Sequence, residues 1–187
     1  MAGGQIAFLV DATKCTNCKT CEVACKDFNG AGIGVRIRQV RAFEGGAFPR
    51  VFAYGISMSC NHCQDPACVK GCPANAYTKR ATDGIVLHDP ERCIGCRYCT
   101  WVCPYGAPQY DVTAGRVRKC NLCVEELDQG RLPVCATACP MRAIEVGLLA
   151  DFEARPGVTT AIVGVPPPGP TRPACLYIVR KEARDVR

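Results

Sequence analysis

Sixteen of the seventeen cysteines in this 187-residue chain stand in four groups of four. They are Cys15, Cys18, Cys21 and Cys25; Cys60, Cys63, Cys68 and Cys72; Cys93, Cys96, Cys99 and Cys103; and Cys120, Cys123, Cys135 and Cys139. Each group has three thiols that can close on one metal centre and a fourth placed further along. Cysteine makes up about 9% of the chain, near the level that marks a cysteine-defined scaffold, whereas only 7% of residues are aromatic. A chain with so little aromatic bulk must draw much of its folding free energy from what its thiols hold. Stripped of that group, it is expected to fold poorly.

A disulfide framework suits short secreted chains and seldom shows C-x2-C-x2-C runs, whose neighbouring thiols are better placed to share a metal than to bridge to distant partners. Structural zinc needs paired C-x2-C knuckles. The fourth group alone could pass for such a site; the first and third do not. Covalent haem is excluded because no C-x-x-C-H occurs. The third group, Cys93-Ile-Gly-Cys96-Arg-Tyr-Cys99-Thr-Trp-Val-Cys103-Pro104, matches the bacterial ferredoxin run C-x2-C-x2-C-x3-C-P at every position. Four such groups imply four [4Fe–4S] clusters and a chain that moves electrons.

The spacing also implies how ligands are shared. A loop with Cys at i, i+3 and i+6 delivers three thiolates to one cubane, and the fourth Cys ligates the other cluster of a pair. The inner groups then form Cys60, Cys63, Cys68 with Cys103, and Cys93, Cys96, Cys99 with Cys72. The outer groups form Cys15, Cys18, Cys21 with Cys139, and Cys120, Cys123, Cys135 with Cys25. Cys175 lies outside every group and is expected to be a buried free thiol.

The formal charge of +6 does not point to nucleic acid. Four oxidised cubanes with their thiolates offset about −8, and the basic residues are dispersed. Lys14, Lys19, Lys26, Arg92, Arg97, Lys119 and Arg142 lie beside cysteines, where positive charge favours a reduced cluster or is simply solvated. No apolar run approaches the roughly 20 residues of a membrane span. The N-terminus shows neither a secretory leader nor a twin-arginine signal. A soluble chain is expected, carried by something else if it works outside the cytoplasm.

Along the chain, the pattern reads as an α+β fold of short strands and helical turns, one ferredoxin-like module inserted in another. Residues 1–58 and 105–150 form the outer module, 59–104 the inner one, and 151–187 an extended Pro-rich tail. Gln5 to Val10 reads as a strand. Gly34 to Arg41 alternates with period two and reads as a half-buried strand, broken at Gly45-Gly46, with Val51 to Met58 returning. Gly30, Gly32 and Gly34 form a loop rather than a dinucleotide fingerprint. Ala76 to Arg80 and Gly84 to Asp89 flank an Asp83-Gly84 turn, a hairpin signal. Ala67 to Gly71 and Ile94 to Trp101 suit single helical turns, and Arg142 to Gly147 a closing strand. Proline after the last ligand, at Pro73, Pro104 and Pro140, turns the chain away. The tail, with Val165-Pro-Pro-Pro-Gly-Pro170, either wraps a partner or packs along its own body.

The stretches from Cys15 through Cys25 to Asp27, Ser59 to Cys68, Cys93 to Cys99 and Cys103-Pro-Tyr-Gly-Ala-Pro-Gln-Tyr110 resemble the four-cluster iron–sulfur subunits of the molybdopterin oxidoreductase family, and most closely the dimethyl sulfoxide reductase type, over about residues 5 to 150. The resemblance implies a non-catalytic relay between a molybdenum or tungsten catalytic subunit and a quinone-reactive membrane subunit. It also implies a peripheral place at the outer, periplasmic face, reached by co-export with a twin-arginine partner; a cytoplasmic site is the alternative. The inner module would face the membrane partner and the outer groups the catalytic subunit. A freely diffusing polyferredoxin is the other reading. His62 reads as a loop residue filling space, His88 as surface hairpin and Trp101 as packing. No nucleophile–base pair or carboxylate pair is apparent, so no substrate site is expected.

Overall fold

The computed structural model describes residues 3–180; the last seven residues assigned to the tail lie outside them. The elements run β1 (Ile6–Asp11), α1 (Thr20–Phe28), β2 (Gln39–Ala47), β3 (Arg50–Met58), α2 (Ala67–Lys70), β4 (Tyr77–Lys79), β5 (Val86–His88), α3 (Tyr98–Val102), β6 (Gln109–Asp111), β7 (Arg116–Arg118), α4 (Val124–Asp128), α5 (Val134–Thr137), β8 (Ile144–Leu148), α6 (Leu149–Glu153), β9 (Val158–Thr159) and β10 (Cys175–Ile178). The fold is a small α+β one, with short strands and helices of at most nine residues.

A four-stranded sheet in the order β8-β1-β10-β9 forms the centre. All six residues of β1 are buried, as a strand covered on both faces requires. Successive side chains point to opposite faces. Ile6, Phe8 and Val10 join the core that contains Cys21, Cys25, Cys60, Cys120 and Cys135. Ala7 and Leu9 face the other way, onto Leu149, Phe152 and Leu176. The central strand therefore separates a cysteine-bearing face from a purely apolar one.

β10 pairs parallel to β1, Phe8 opposite Cys175 and Asp11 opposite Ile178. Of the two uses open to the tail, residues up to 180 take the second: they pack along the chain's own body. The Pro-rich approach to β10 lies over the loop of the second cysteine group. Gln64 and Asp65 N–H donate to the carbonyls of Arg172 and Thr171 at 2.8 and 3.0 Å, and Ala174 N–H donates to Asn61 O at 2.9 Å. Four apolar residues preceded by prolines carry no length or periodicity that distinguishes a central strand from an extended tail.

Three hairpins complete the fold: β2–β3, β4–β5 and β6–β7. The β4–β5 hairpin is fastened to the start of β1, with Ile6 N–H donating to Asp83 O at 2.8 Å and Lys79 Nζ to Gln5 Oε1 at 2.8 Å. Two expectations need correction. The strand read at Gly34 to Arg41 begins only at Gln39. The alternation before it marks buried Val35 and Ile37 in an unpaired segment. Nor does Gly45-Gly46 break the strand: the ladder continues through Gly45–Phe52 and Gly46–Val51. Gly46 has φ of 85°, and a Cβ there would run into the Arg50 carbonyl, so glycine is needed within the ladder rather than as its end.

Candidate iron–sulfur centres

All four cysteine loops share one backbone device. The residue immediately before the second cysteine is left-handed in each: Asn17, His62, Gly95 and Leu122, with φ of 59°, 42°, 69° and 62°. Lys19, Arg97 and Cys123 add further positive φ values. Such conformations are uncommon outside glycine. They coil the loop so that backbone N–H groups line a concavity suited to an anion, a cluster with its thiolates included. Backbone N–H groups reach sulfur directly at Cys72 (from Ala76), Cys120 (from Leu122) and Cys139 (from Ala143), each at 3.3 Å. The third cysteine then sits on a helix. Cys21 and Cys25 are one turn apart on α1 and both buried, so they share its inner face. Cys68, Cys99 and Cys135 lie on α2, α3 and α5.

Two cavities lie among the inner groups. One is walled by Cys60, Cys63, Cys68 and Cys103, with Lys119 and Thr171. The other is walled by Cys72, Cys93, Cys96 and Cys99, with Tyr77 and Tyr98. Each takes three cysteines from one group and one from the other. In the outer groups, Cys15 has Cys139 and Cys18 as neighbours. Cys21 faces Ser57, Cys135 and Cys139, while Cys25 faces Cys120, Cys135 and Cys123.

The thiols are an awkward set without metal. Burial, with neighbouring thiols adding to it, pushes Cys63 and Cys68 up to about 12 and Cys25 well above its ordinary value. Burial does the same to Cys120, up to about 11. Only Cys18, nearly free of burial and hydrogen-bonded by Thr20, is held below its ordinary value. Thiolates this close repel one another, and bound metal supplies the positive charge that deprotonates them. Among the described residues, no three His, Cys, Asp or Glu side chains converge closely enough to hold a single ion. The donor set fits polynuclear iron, with each inner foursome walling a cavity rather than pinching a point. All seventeen thiols are unbridged.

The centres follow one another through the molecule. Cys21 lies beside Cys135, and Cys120 beside Cys60. Tyr77 has Cys99, Cys68 and Cys60 among its neighbours. Among the basic residues that neighbour cysteines in sequence, Lys119 is deeply buried, 7% exposed, with Nζ donating to Val86 O at 2.5 Å and Cys120 O at 2.6 Å. Lys14 instead pairs with Asp11 at 3.2 Å, and Arg97 lies 3.7 Å over the Tyr110 ring. A second buried cation, Arg38, escaped sequence reasoning. It sits far from any cysteine in sequence, and nothing local distinguishes it from Arg36 or Arg41.

Single residues also depart from expectation. His88 is not a surface residue: it is half-buried on β5, its ring 4.7 Å from Tyr77, and burial lowers its pKa to about 4, with Lys119 adding to the effect. Trp101 does not pack; it is 80% exposed, near exposed Ile94 and Tyr98 in the chain. These three apolar side chains flank the third cysteine group. His62 fills space as expected, but in the deep interior. Its Nδ1 accepts from Val86 N–H at 3.1 Å, so its proton is on Nε2. Cys175 is buried on β10, and burial pushes its thiol up to about 11.

Comparison with known proteins agrees with this architecture. Residues 51–149 match the 4Fe-4S dicluster domain family. The chain is 44% identical over 177 residues to the probable anaerobic dimethyl sulfoxide reductase chain YnfG of Escherichia coli (strain K12), covering 90% of this chain and 86% of that one. It is 41% identical over 189 residues to a chain of the anaerobic dimethyl sulfoxide reductase of Haemophilus influenzae, covering 96% and 92%. It is 34% identical over 165 residues to the formate dehydrogenase iron-sulfur subunit of Wolinella succinogenes, covering 76% and 81%. Among the described residues, no helix is long and apolar enough to cross a membrane. The chain belongs to the 4Fe-4S dicluster family of iron–sulfur subunits that serve anaerobic dimethyl sulfoxide reductases and their relatives, and it is an electron-transfer subunit of an oxidoreductase rather than the catalytic one.

Proposed function

We propose that this chain relays electrons through four [4Fe–4S] clusters between a molybdopterin catalytic subunit and a quinone-reactive membrane subunit. The ligand sets are Cys15, Cys18, Cys21 and Cys139 for the first centre, and Cys25, Cys120, Cys123 and Cys135 for the second. Cys60, Cys63, Cys68 and Cys103 hold the third, and Cys72, Cys93, Cys96 and Cys99 the fourth. When bound, the clusters would supply one-electron chemistry at potentials tuned by burial, charge and hydrogen bonds to sulfur.

The observation that carries this reading is the distribution of exposure. Cys18 and Cys96 are the two exposed thiols of the seventeen, one in the first set and one in the fourth. In the second set all four thiols are buried. A chain of centres with a dry middle and two accessible ends suits a subunit that takes electrons on one face and gives them up on another. The fourth end, with exposed Ile94, Tyr98 and Trp101, would face the apolar membrane subunit, and the first end the catalytic subunit. The whole would sit at the membrane's periplasmic face, reached with an exported partner.

Anaerobic purification of the complex tests this. About sixteen iron atoms per chain, the content of four cubanes, are expected together with a large pterin-containing chain. Iron well below that number defeats the cluster count, and a monomeric carrier without a pterin partner defeats the subunit role.

A further inference from the structure

Arg38 lies at the meeting of the two outer cysteine sets and is 2% exposed. Among the described residues it pairs with no carboxylate. Nη1 donates to Ser57 Oγ at 3.0 Å and Nη2 to Ser59 Oγ at 2.9 Å. The guanidinium lies 4.5 Å over the Phe8 ring, and its Nε is buried without a partner. Two hydroxyls, the Ser57 carbonyl at 3.5 Å from Nη1 and a ring face do not compensate a buried cation, which demands an opposing charge. The groups around it that can carry one are Cys21, Cys25, Cys120 and Cys135.

Ser57 turns this proximity into a directed contact. Its Oγ lies 3.2 Å from Cys21 Sγ, both residues buried. An arginine can only donate, so Ser57 accepts from Arg38 and its own hydrogen is free for sulfur. A ligating cysteine has no proton to offer, so the direction is the same from both sides: Arg38 to Ser57 to Cys21. A cation behind a hydroxyl makes that hydroxyl a stronger donor.

We propose that Arg38 and Ser57 form a redox-tuning device. Ser57 stabilises the reduced state of the centre held by Cys21, and Arg38 stabilises the reduced states of both outer centres. Reduction adds one electron and no atom, so the added negative charge is what the pair opposes, and both residues raise the potential. The inference rests on the reading that the outer thiols hold [4Fe–4S] clusters.

The test is a redox titration of the anaerobically purified full chain, followed by electron paramagnetic resonance with iron analysis alongside. Ser57→Ala should lower the equilibrium constant for reduction of one outer centre about tenfold, 59 mV for a one-electron couple, with the other three unmoved. An exchangeable proton coupled to that centre should vanish. Arg38→Gln should lower both outer centres, and Arg38→Lys should restore most of the shift. Unchanged midpoints in Ser57→Ala at full iron content, an equal shift of all four, or loss of iron from that variant would overturn the proposal. If Arg38→Gln does not accumulate, Ser57→Ala decides alone. A shortfall of iron in the unmodified chain instead marks failure of the underlying cluster reading.

Discussion

The outer and inner cysteine groups are held by different kinds of surroundings. Cys21, Cys25, Cys120 and Cys135 of the outer groups belong to the main core, together with Cys60 of the inner ones, and share it with Ile6, Phe8 and Val10 of the central strand and with Tyr54, Ile56 and Tyr177. The fourth set lies against a satellite core whose buried members are Tyr77, Val86, Cys99 and Val117, drawn from two hairpins of three-residue strands and one short helix. The neighbouring groups differ too. Beside the outer sets stands a buried cation, Arg38; beside the fourth set stand two rings, Tyr77 against His88. The outer cysteines thus sit in a large protein core, while the fourth set has only a small one beside it.

Iron removal probes this contrast most strongly. Chelation should release the β4–β5 and β6–β7 hairpins to nearly unfolded rates of amide exchange, while β1, β8 and β10 retain protection. Equal loss across the molecule would erase the distinction between the two ends. Next in size, Cys99→Ser should remove about four iron atoms and leave the outer resonance signals in place; loss of an outer signal alone would contradict the ligand sets. Leu9→Ala, on the sheet face that meets no cysteine, should cost about 2–5 kcal/mol in thermal or denaturant unfolding of the iron-loaded chain. Its midpoint potentials should not move, and a shift there would show that the two faces of β1 are electrostatically coupled.

The smallest effect concerns Asp11. Burial raises its pKa, but hydrogen bonds from Thr13 Oγ1 and N–H, with Lys14 nearby, outweigh this and hold it below its ordinary 3.8. The depressed value means the carboxylate stabilises the fold above pH 3.8, and that contribution disappears as pH falls through the folded value. Asp11→Asn should therefore cost about 1 kcal/mol at neutral pH and progressively less in acid. A cost that stays constant with pH would assign the effect to shape rather than charge.

Cysteine spacing was legible because ligand geometry is local: two residues between thiols dictate a tight loop whatever surrounds it. Gln5 to Val10 and the hairpin around Asp83-Gly84 could be read for the same reason, since turn chemistry and an unbroken apolar run need no distant partner. β10 could not, because Cys175–Ile178 becomes a strand only by pairing with β1, well over a hundred residues earlier. Arg38 could not either. Its burial is created by Ser57, Ser59 and Phe8 arriving from two other strand regions. Trp101 shows the converse error, a large aromatic assigned to packing that the fold leaves outside.

The parallel pairing of β1 with β10 has a consequence for assembly. All sixteen cysteines of the four groups precede residue 140, yet the strand that seals one edge of β1 begins at Cys175. During synthesis the four loops exist before the sheet beneath them is complete, and the segment that lies over the second loop arrives last. With clusters held as proposed, loading would have an open interval before β10 closes the sheet. A chain stopped before Cys175 should accept iron but release it faster than the full one.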